Sequence, residues 1–365
     1  MKIIILGLVL RIIYAFLNSF YGPFLSGDAD AIKFHETAIA VSQDINNFDY
    51  RTGWIYASVL GLIYKISFDS IFFGSLISAL GWFVSAVIVL KTVKLLKIES
   101  TSEKVILLLF SFWPSAIIFT SIILRESFQL LFFTLAIFSF LKIFLENKNK
   151  YNLTFFISLV FLPMLHKMFV LYSAILFLFY VIFFIKSLKE ENYKILILFF
   201  LSVVVIIFFN IELISTYFYD RVPLDKKSFL EIVQHHINHM TVSRASYQVD
   251  EVLLYEFRDF LRYMILSFSN YFLQPFPSNQ QLFIDFLLFF ENLVRIFLYL
   301  IILINIFNIK LKYYSLYISL FLLILILEIG WALGTNNWGT AVRHHVPSMG
   351  LLLLLSFYNF EKSNR

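Results

Sequence analysis

Two carboxylates stand two residues apart directly after the first long apolar run of the chain, at Asp28 and Asp30. Carboxylates in this pattern can act as a general base or hold a divalent cation. The same side chains could also cap the helix predicted to follow, because acidic groups favour a helix N-terminus. Both roles stay open, since one aspartate can cap while the other faces a site. His35 follows on the same helical face as Asp28 and could orient an acid or bind a phosphate.

Cations and further polar groups recur at the ends of two later apolar runs. Arg125 and Glu126 follow the run WPSAIIFTSIIL, and His166 and Lys167 follow a short run that ends in Leu-Pro-Met-Leu. Flanking charges and lysines that extend to the membrane surface are ordinary features of such positions. A cation held at the depth of an apolar run is, however, often functional. We therefore treat these four residues as candidate substrate-binding groups.

A third polar stretch, GTNNWGTAVRHHVP, occupies 334–347 and carries Arg343 and His344. Arginine can hold two oxygens of a phosphate at once, and backbone N–H groups freed by glycine can add to such a site. The alternative is a polar loop with cationic edges. The density of polar groups between two apolar runs favours an anion site, and we predict that Arg343 and His344 form it.

The composition indicates what must hold these residues in place. The chain has 365 residues, of which 60% are hydrophobic and only 15% are charged, and its mean hydropathy is +0.82. Soluble domains carry about 25% charged residues, so this balance excludes a soluble globular protein. It predicts an all-α polytopic membrane protein. The absence of cysteine excludes disulfides and a thiol nucleophile. The net charge of +5 comes from lysines between apolar runs, which indicates topology rather than nucleic-acid binding.

Apolar runs of spanning length predict about ten transmembrane helices in a single membrane domain of residues 1–365. Lysines fall in alternate connections and at both ends, which places both termini in the cytoplasm. Arg11 lies within the first run and must therefore pair or face a polar cavity. The predicted runs are 3–22, 70–90, 105–123, 127–145, 152–165, 168–185, 195–213, 284–307, 313–332 and 346–358.

This topology leaves three segments on the non-cytoplasmic face: 23–68 with its acidic motif, 214–282, and 333–346. The stretch GWIYASVLGLIYKISF at 53–68 is predicted to be an interfacial helix, because another crossing there would reverse the lysine pattern. All seven histidines fall on or near this face. We therefore predict that the chemistry takes place on the non-cytoplasmic side of the plasma (inner) membrane.

Four motifs, taken in order, resemble the GT-C superfamily of multi-pass glycosyltransferases: GDADAIKFHETA, GWIYASVLGLIYKIS, FWPSAIIFTSIILRES and GTAVRHHVP. The closest resemblance is to dolichyl-phosphate-mannose and aminoarabinose-type transferases and to bacterial members in surface-polysaccharide synthesis. The resemblance implies a GT-C-like fold. It also implies a polyprenyl-phosphate or polyprenyl-diphosphate sugar donor and a glycan, lipid or protein acceptor.

The resemblance further implies roles for individual residues. Asp28 or Asp30 would match the acidic position that activates the acceptor, and either could hold a divalent cation, the one cofactor left open. Arg343 and Arg125 would match the cations that stabilise the leaving phosphate. Two other functions remain as alternatives. One is an O-antigen or capsule repeat-unit polymerase, which the long segment 214–282 also fits. The other is a lipid-linked sugar flippase or transporter, which the one-sided placement of the polar groups disfavours.

Overall fold

The computed structural model describes residues 1–22, 28–186, 234, 245–247, 256–308 and 311–358. Within these ranges the chain is helical and contains no strand, apart from an isolated bridge between Ser246 and Asn337. The span predicted at 195–213 lies outside the described residues, as does most of the segment predicted at 214–282.

The described helices are connected mainly by turns and short 3-10 segments. In chain order they are α1 (Lys2–Tyr21), α2 (Asp28–Gln43), α3 (Ile55–Lys65), α4 (Ile71–Leu95), α5 (Ser100–Phe112), α6 (Pro114–Phe119), α7 (Glu126–Glu146), α8 (Asn152–Leu165), α9 (Phe169–Lys186), α10 (Phe257–Leu273), α11 (Phe283–Asn308), α12 (Leu311–Leu333), α13 (Trp338–His345) and α14 (Met349–Phe357).

Five of these helices are long and apolar enough to cross a membrane: α1, α4, α7, α11 and α12. Their most apolar windows have mean hydropathies of 2.1 to 2.3. The protein is therefore an α-helical membrane protein, as the composition predicted. The number of about ten spans stays a prediction, because the other apolar helices within the described ranges are shorter.

The last predicted span, at 346–358, is instead the nine-residue helix α14, and eight of its residues are buried. A helix of this length is about 14 Å long, less than half of a hydrocarbon core about 30 Å thick. A helix that is apolar on all sides belongs in a protein interior. The predicted span at 152–165 is different: α8 covers those residues and leaves Leu153 and Val160 exposed on its surface.

The span predicted at 105–123 is two helices rather than one. Trp113 has an extended backbone, and Pro114 opens α6 as its first residue. Proline lacks the N–H that a continuous helix needs, and it disfavours a helical conformation in the residue before it. The break shortens the second piece, so that α6 ends at Phe119 and a turn leads the chain to Arg125 and α7.

The acidic motif and the predicted interfacial helix form a closely packed pair, α2 and α3. α2 buries Ala31, Phe34, Ala38 and Val41, which recur at helical spacing on one face. A Cβ atom on Gly61 of α3 would lie 2.6 Å from the carbonyl oxygen of Ala38, so glycine permits this approach of the two backbones. The pair fixes the position of Asp30, which lies near the start of α2.

Arg11 is fully buried in α1, where its Nε and Nη1 find polar partners and its Nη2 finds none among the described residues. Its Nε donates to Thr120 Oγ1 at 2.8 Å and its Nη1 donates to the carbonyl oxygen of Ser111 at 2.9 Å. Its Cζ atom lies 3.5 Å from the centre of the Trp82 ring. Arg11 therefore ties α1 to the chain on both sides of the break at Pro114.

Candidate active site

Arg343 joins two carboxylates that are far apart in the sequence. Its Nη1 donates to Asp30 Oδ2 at 2.6 Å, and its Nε and Nη2 donate to Glu126 Oε1 at 2.9 and 2.7 Å. The partners lie 313 and 217 residues away along the chain. The start of α2, the start of α7 and the helix α13 therefore meet at one point, which we name the charged end.

The two carboxylates differ in their access to solvent. The Asp30 side chain is 48% exposed, whereas that of Glu126 is 4% exposed. Burial alone would raise the pKa of the Asp30 carboxyl, but the charge and hydrogen bond of Arg343 outweigh it and lower the pKa below its ordinary value. Asp30 is therefore an ionised carboxylate that a ligand can reach, while the buried Glu126 accepts hydrogen bonds from Arg343 and holds it in place.

The local fold orients α13 so that Arg343 reaches both acids. Asn337 caps the helix: its side chain accepts from the N–H groups of Gly339 and Thr340 at 2.7 and 3.2 Å. Trp338 is buried and donates from its indole to Asp285 of α11 at 3.2 Å. An amide cap and a buried tryptophan together fix both the start and the rotation of a short helix that could not hold its place alone.

Arg125 is a half-buried cation that lacks a hydrogen-bonding anion. Its Nε is buried without a hydrogen-bond partner within the described residues, although the charges of Asp30, Glu126 and Arg343 lie within electrostatic range. It packs over the Phe34 ring, and a Cβ atom on Gly53 would lie only 2.0 Å from its Nη1. Because Gly53 also has a φ of +87°, glycine is required there both by the backbone and by the guanidinium.

Two histidines flank a buried tryptophan beside these arginines. His344 stacks on Trp331 with ring centroids 3.9 Å apart, and His166 lies 4.3 Å from the same indole and 5.7 Å from His344. The Nδ1 atom of His166 accepts from the N–H of Met168 at 3.2 Å, and that of His344 contacts Thr335 Oγ1 at 3.0 Å. Both rings are only partly exposed, and their orientation is fixed.

The structure brings together most of the residues that the sequence singled out. Lys167 lies beside His166 at the charged end and is partly exposed. His35 does not join them: five residues separate it from Asp30, about 140° around a helix, and its Nδ1 faces the Tyr64 hydroxyl at 3.0 Å. Burial lowers the pKa of His35, and the nearby carboxylates oppose this only in part. Asp28 begins α2, but its side chain lies outside the described part of the chain.

The divalent cation considered for Asp28 and Asp30 stays a prediction. In the ranges that the structure describes, no three histidines or carboxylates come together as a metal site. The group that Asp30 contacts is the guanidinium of Arg343.

An apolar groove of about 180 Å³ lies next to the charged end, between α3, α4, α7 and α8. Phe128 lies one helical turn after Arg125, and Leu165 directly precedes His166, so the groove begins where these polar residues end. Val59 and Phe161 line its side and are themselves exposed on the helix surface. The groove therefore opens toward the region that lipid would occupy around a membrane protein.

Sequence reasoning missed a second group of charged residues inside the helices. Arg295 and Glu291 of α11 form a buried ion pair at 2.9 Å, and Glu291 also accepts from the N–H and hydroxyl of Ser115. Glu328 of α12 contacts His345 at 2.7 Å. A signal was available, since a charged residue within an apolar run must find a partner inside the protein.

Comparison with known proteins yields no similarity: no family model matches the chain, and neither a curated protein nor a solved structure resembles it.

Proposed function

We propose that the protein is an integral membrane glycosyltransferase of the GT-C type. It transfers a sugar from a polyprenyl-phosphate or polyprenyl-diphosphate donor to an acceptor on the non-cytoplasmic face, in the synthesis of a surface glycan. The observation that carries the proposal is the charged end. It holds an accessible carboxylate, Asp30, and a cation without a hydrogen-bonding anion, Arg125, beside a groove that opens to lipid.

The contact between Asp30 and Arg343 supports the predicted topology. Two side chains within 2.6 Å of each other lie at the same place in the protein, which supports a topology in which the acidic motif and the last polar stretch share a face. The lysine pattern assigns that face to the outside.

In the proposed reaction, a hydroxyl or amine of the acceptor attacks the anomeric carbon of the donor sugar. The bond between that carbon and the phosphate oxygen breaks, and its electron pair leaves with the lipid phosphate. Asp30 takes the proton of the acceptor, since it is ionised and half exposed. Arg125 faces the growing negative charge on the phosphate, where a fixed cation stabilises the transition state more than the ground state.

The groove gives the lipid carrier a place. An isoprenoid chain in the groove between α3, α7 and α8 would bring its phosphate to the end of α8 and the start of α7, where Arg125 lies. Glu126 contacts no substrate in this arrangement, since it is buried and accepts from Arg343. Its role is to hold Arg343 in place.

The test is a turnover assay with the purified protein in lipid vesicles. The vesicles contain a panel of polyprenyl-phosphate and polyprenyl-diphosphate sugars with a labelled glycan, together with candidate acceptors. We expect one donor to be consumed, with release of the free lipid phosphate in equal amount. If correctly folded protein consumes none of the donors, the proposal is contradicted. Movement of a labelled donor across the bilayer without chemical change would identify a flippase instead.

A further inference from the structure

Two imidazole nitrogens at the charged end have no assigned role in the proposed reaction. The Nδ1 atoms of His166 and His344 are engaged by Met168 and Thr335, and the structure records no further hydrogen bond from either ring to the described residues. Both rings are partly exposed, so a ligand can reach their edges.

The two rings lie next to Arg125. A Cβ atom on Gly53 would approach both the guanidinium of Arg125 and the carbonyl oxygen of Leu165, the residue before His166. His344 follows Arg343 directly, and its ring centroid lies 5.7 Å from that of His166. The charge of Arg125 lies within electrostatic range of both rings, so the two imidazoles are close neighbours of its guanidinium.

Both imidazoles are neutral at this place, and that of His166 is a hydrogen-bond donor. Burial lowers the pKa of each, and the charges of Arg125 and Arg343 lower it further. The His166 Nδ1 atom accepts from a backbone N–H, so in the neutral ring the proton is on Nε2. A neutral donor beside several cations suits an anionic oxygen without adding charge of its own.

Resting on the proposed function, we propose that the site takes a diphosphate ester, with one phosphate at Arg125 and the second at the Nε2 atoms of His166 and His344. A diphosphate ester has twice as many non-bridging oxygens as a phosphodiester. Arg125 alone offers five N–H donors, and its buried Nε makes no hydrogen bond to the described residues. With the two imidazoles beside it, the donors at this place outnumber the two non-bridging oxygens of one phosphodiester.

The first test needs no variant. The purified protein in lipid nanodiscs is titrated with farnesyl phosphate and farnesyl diphosphate, with binding measured by native mass spectrometry. A hydrogen bond to a charged group contributes on the order of tenfold to a hundredfold in affinity. We therefore expect the diphosphate to bind at least about tenfold more tightly than the monophosphate. Equal affinities would overturn the diphosphate proposal while leaving the transferase intact, and binding of neither ligand would overturn both.

The second test assigns the preference to the two histidines. His166→Phe and His344→Phe keep an aromatic ring against Trp331 but remove the donor nitrogen. Each should leave the affinity for farnesyl phosphate unchanged and reduce the preference for the diphosphate. His166→Gln, which restores an N–H donor, should recover part of that preference. Arg125→Ala should instead weaken both ligands.

Two further results show whether the site recognises the phosphates without the lipid chain, and whether the histidines contact the second phosphate. Inorganic phosphate and diphosphate should show the same order of preference at lower affinity, since they lack the chain that fills the groove. Loss of affinity for both farnesyl ligands to the same degree in the phenylalanine variants would overturn the proposal. In that case the histidines would contribute to binding without recognising the second phosphate.

Discussion

Two groups of ion pairs in the described part of the chain differ in whether the pairing is closed. In α11, Arg295 and Glu291 are 2% and 1% exposed, and their remaining partners are Asn292 and Ser115. At the charged end Asp30 is 48% exposed, and Arg125 keeps a buried nitrogen without a partner. The same residue types therefore form a closed pair in one region and an open cluster in the other.

This difference separates a structural role from a binding role. A buried charge without a partner is costly in free energy. In a closed pair each charge already has its partner, so no hydrogen-bonding group is left for a ligand. An open cluster keeps hydrogen-bonding capacity at some cost in stability, which is typical of functional sites. We therefore expect changes at the charged end to affect turnover and changes in α11 to affect stability.

The largest expected effect is on turnover at Asp30. A positioned general base contributes roughly 10²–10⁴-fold to a rate, so Asp30→Asn should reduce kcat by about that factor. Because the half-exposed Asp30 pairs with Arg343, the same change should lower the melting temperature only slightly. The matched control is Asp44→Asn, the same change at an exposed residue that caps a 3-10 turn, where asparagine caps equally well. Both variants are measured in the vesicle assay. Near-normal turnover in Asp30→Asn would remove this residue as the base and leave Asp28.

The next effect concerns stability and separates the two regions directly. Arg295→Met leaves Glu291 as an uncompensated buried charge, which costs about 3–5 kcal/mol, whereas Arg125→Met removes a cation that no carboxylate holds by a hydrogen bond. Thermal unfolding in detergent should therefore show a large loss for Arg295→Met and little change for Arg125→Met. The double variant Glu291→Gln/Arg295→Met removes both charges and keeps an acceptor for Ser115, so it should recover much of the loss. Equal destabilisation by the two single variants would contradict the division into closed and open pairs.

The charged residues at the ends of apolar runs could be found from the sequence. Arg125, His166 and Arg343 stand out because polar groups at membrane depth are rare and need a reason. Their partners could not be found, because Asp30 and Arg343 are 313 residues apart and no local pattern links them. The contact of His35 with Tyr64 could not be found for a related reason: helical spacing predicts which residues share a face, but not which face turns toward a neighbouring helix.

The features of the fold that the sequence could not predict have the same origin. Hydropathy reports that a segment avoids water, but not whether lipid or protein surrounds it, and for this reason the buried α14 resembles a span. The apolar run across Pro114 continues without a charged residue, so its hydropathy hides the break that proline imposes. The pair Glu291 and Arg295 was visible in the sequence as charge within an apolar run.

A smaller effect is expected when the charge of Arg343 is kept and its shape is changed. Arg343→Lys removes a planar fork that reaches Asp30 and Glu126 at once, and an ammonium presents a single point charge. Loss of one charge-assisted hydrogen bond corresponds to roughly tenfold to a hundredfold in rate, so Arg343→Lys should lose most of its activity and Arg343→Ala more. Full activity of Arg343→Lys with saturating donor would show that only a positive charge is needed there.

The smallest expected effect is a shift in the pH dependence that the pKa of Asp30 sets. Burial raises the pKa of this carboxyl, but Arg343 and, more weakly, Arg125 and Lys33 lower it overall. A carboxyl whose pKa is lowered in the folded protein stays ionised as the pH falls through the range in which a free aspartate takes up its proton. Both its base function and its stabilising charge are lost only below that range.

Lys33→Met removes the weakest of these charges from an exposed position outside the binding machinery. The pKa of Asp30 should then rise, so the acidic limb of kcat against pH should move to higher pH. Because Lys33 is exposed, the shift should be visible at low salt and disappear at high salt, where such charges are screened. Lys104→Met, at an exposed residue near the start of α5, should not move the limb at either salt concentration. An acidic limb that stays in place in Lys33→Met at low salt would show that a group other than Asp30 sets it.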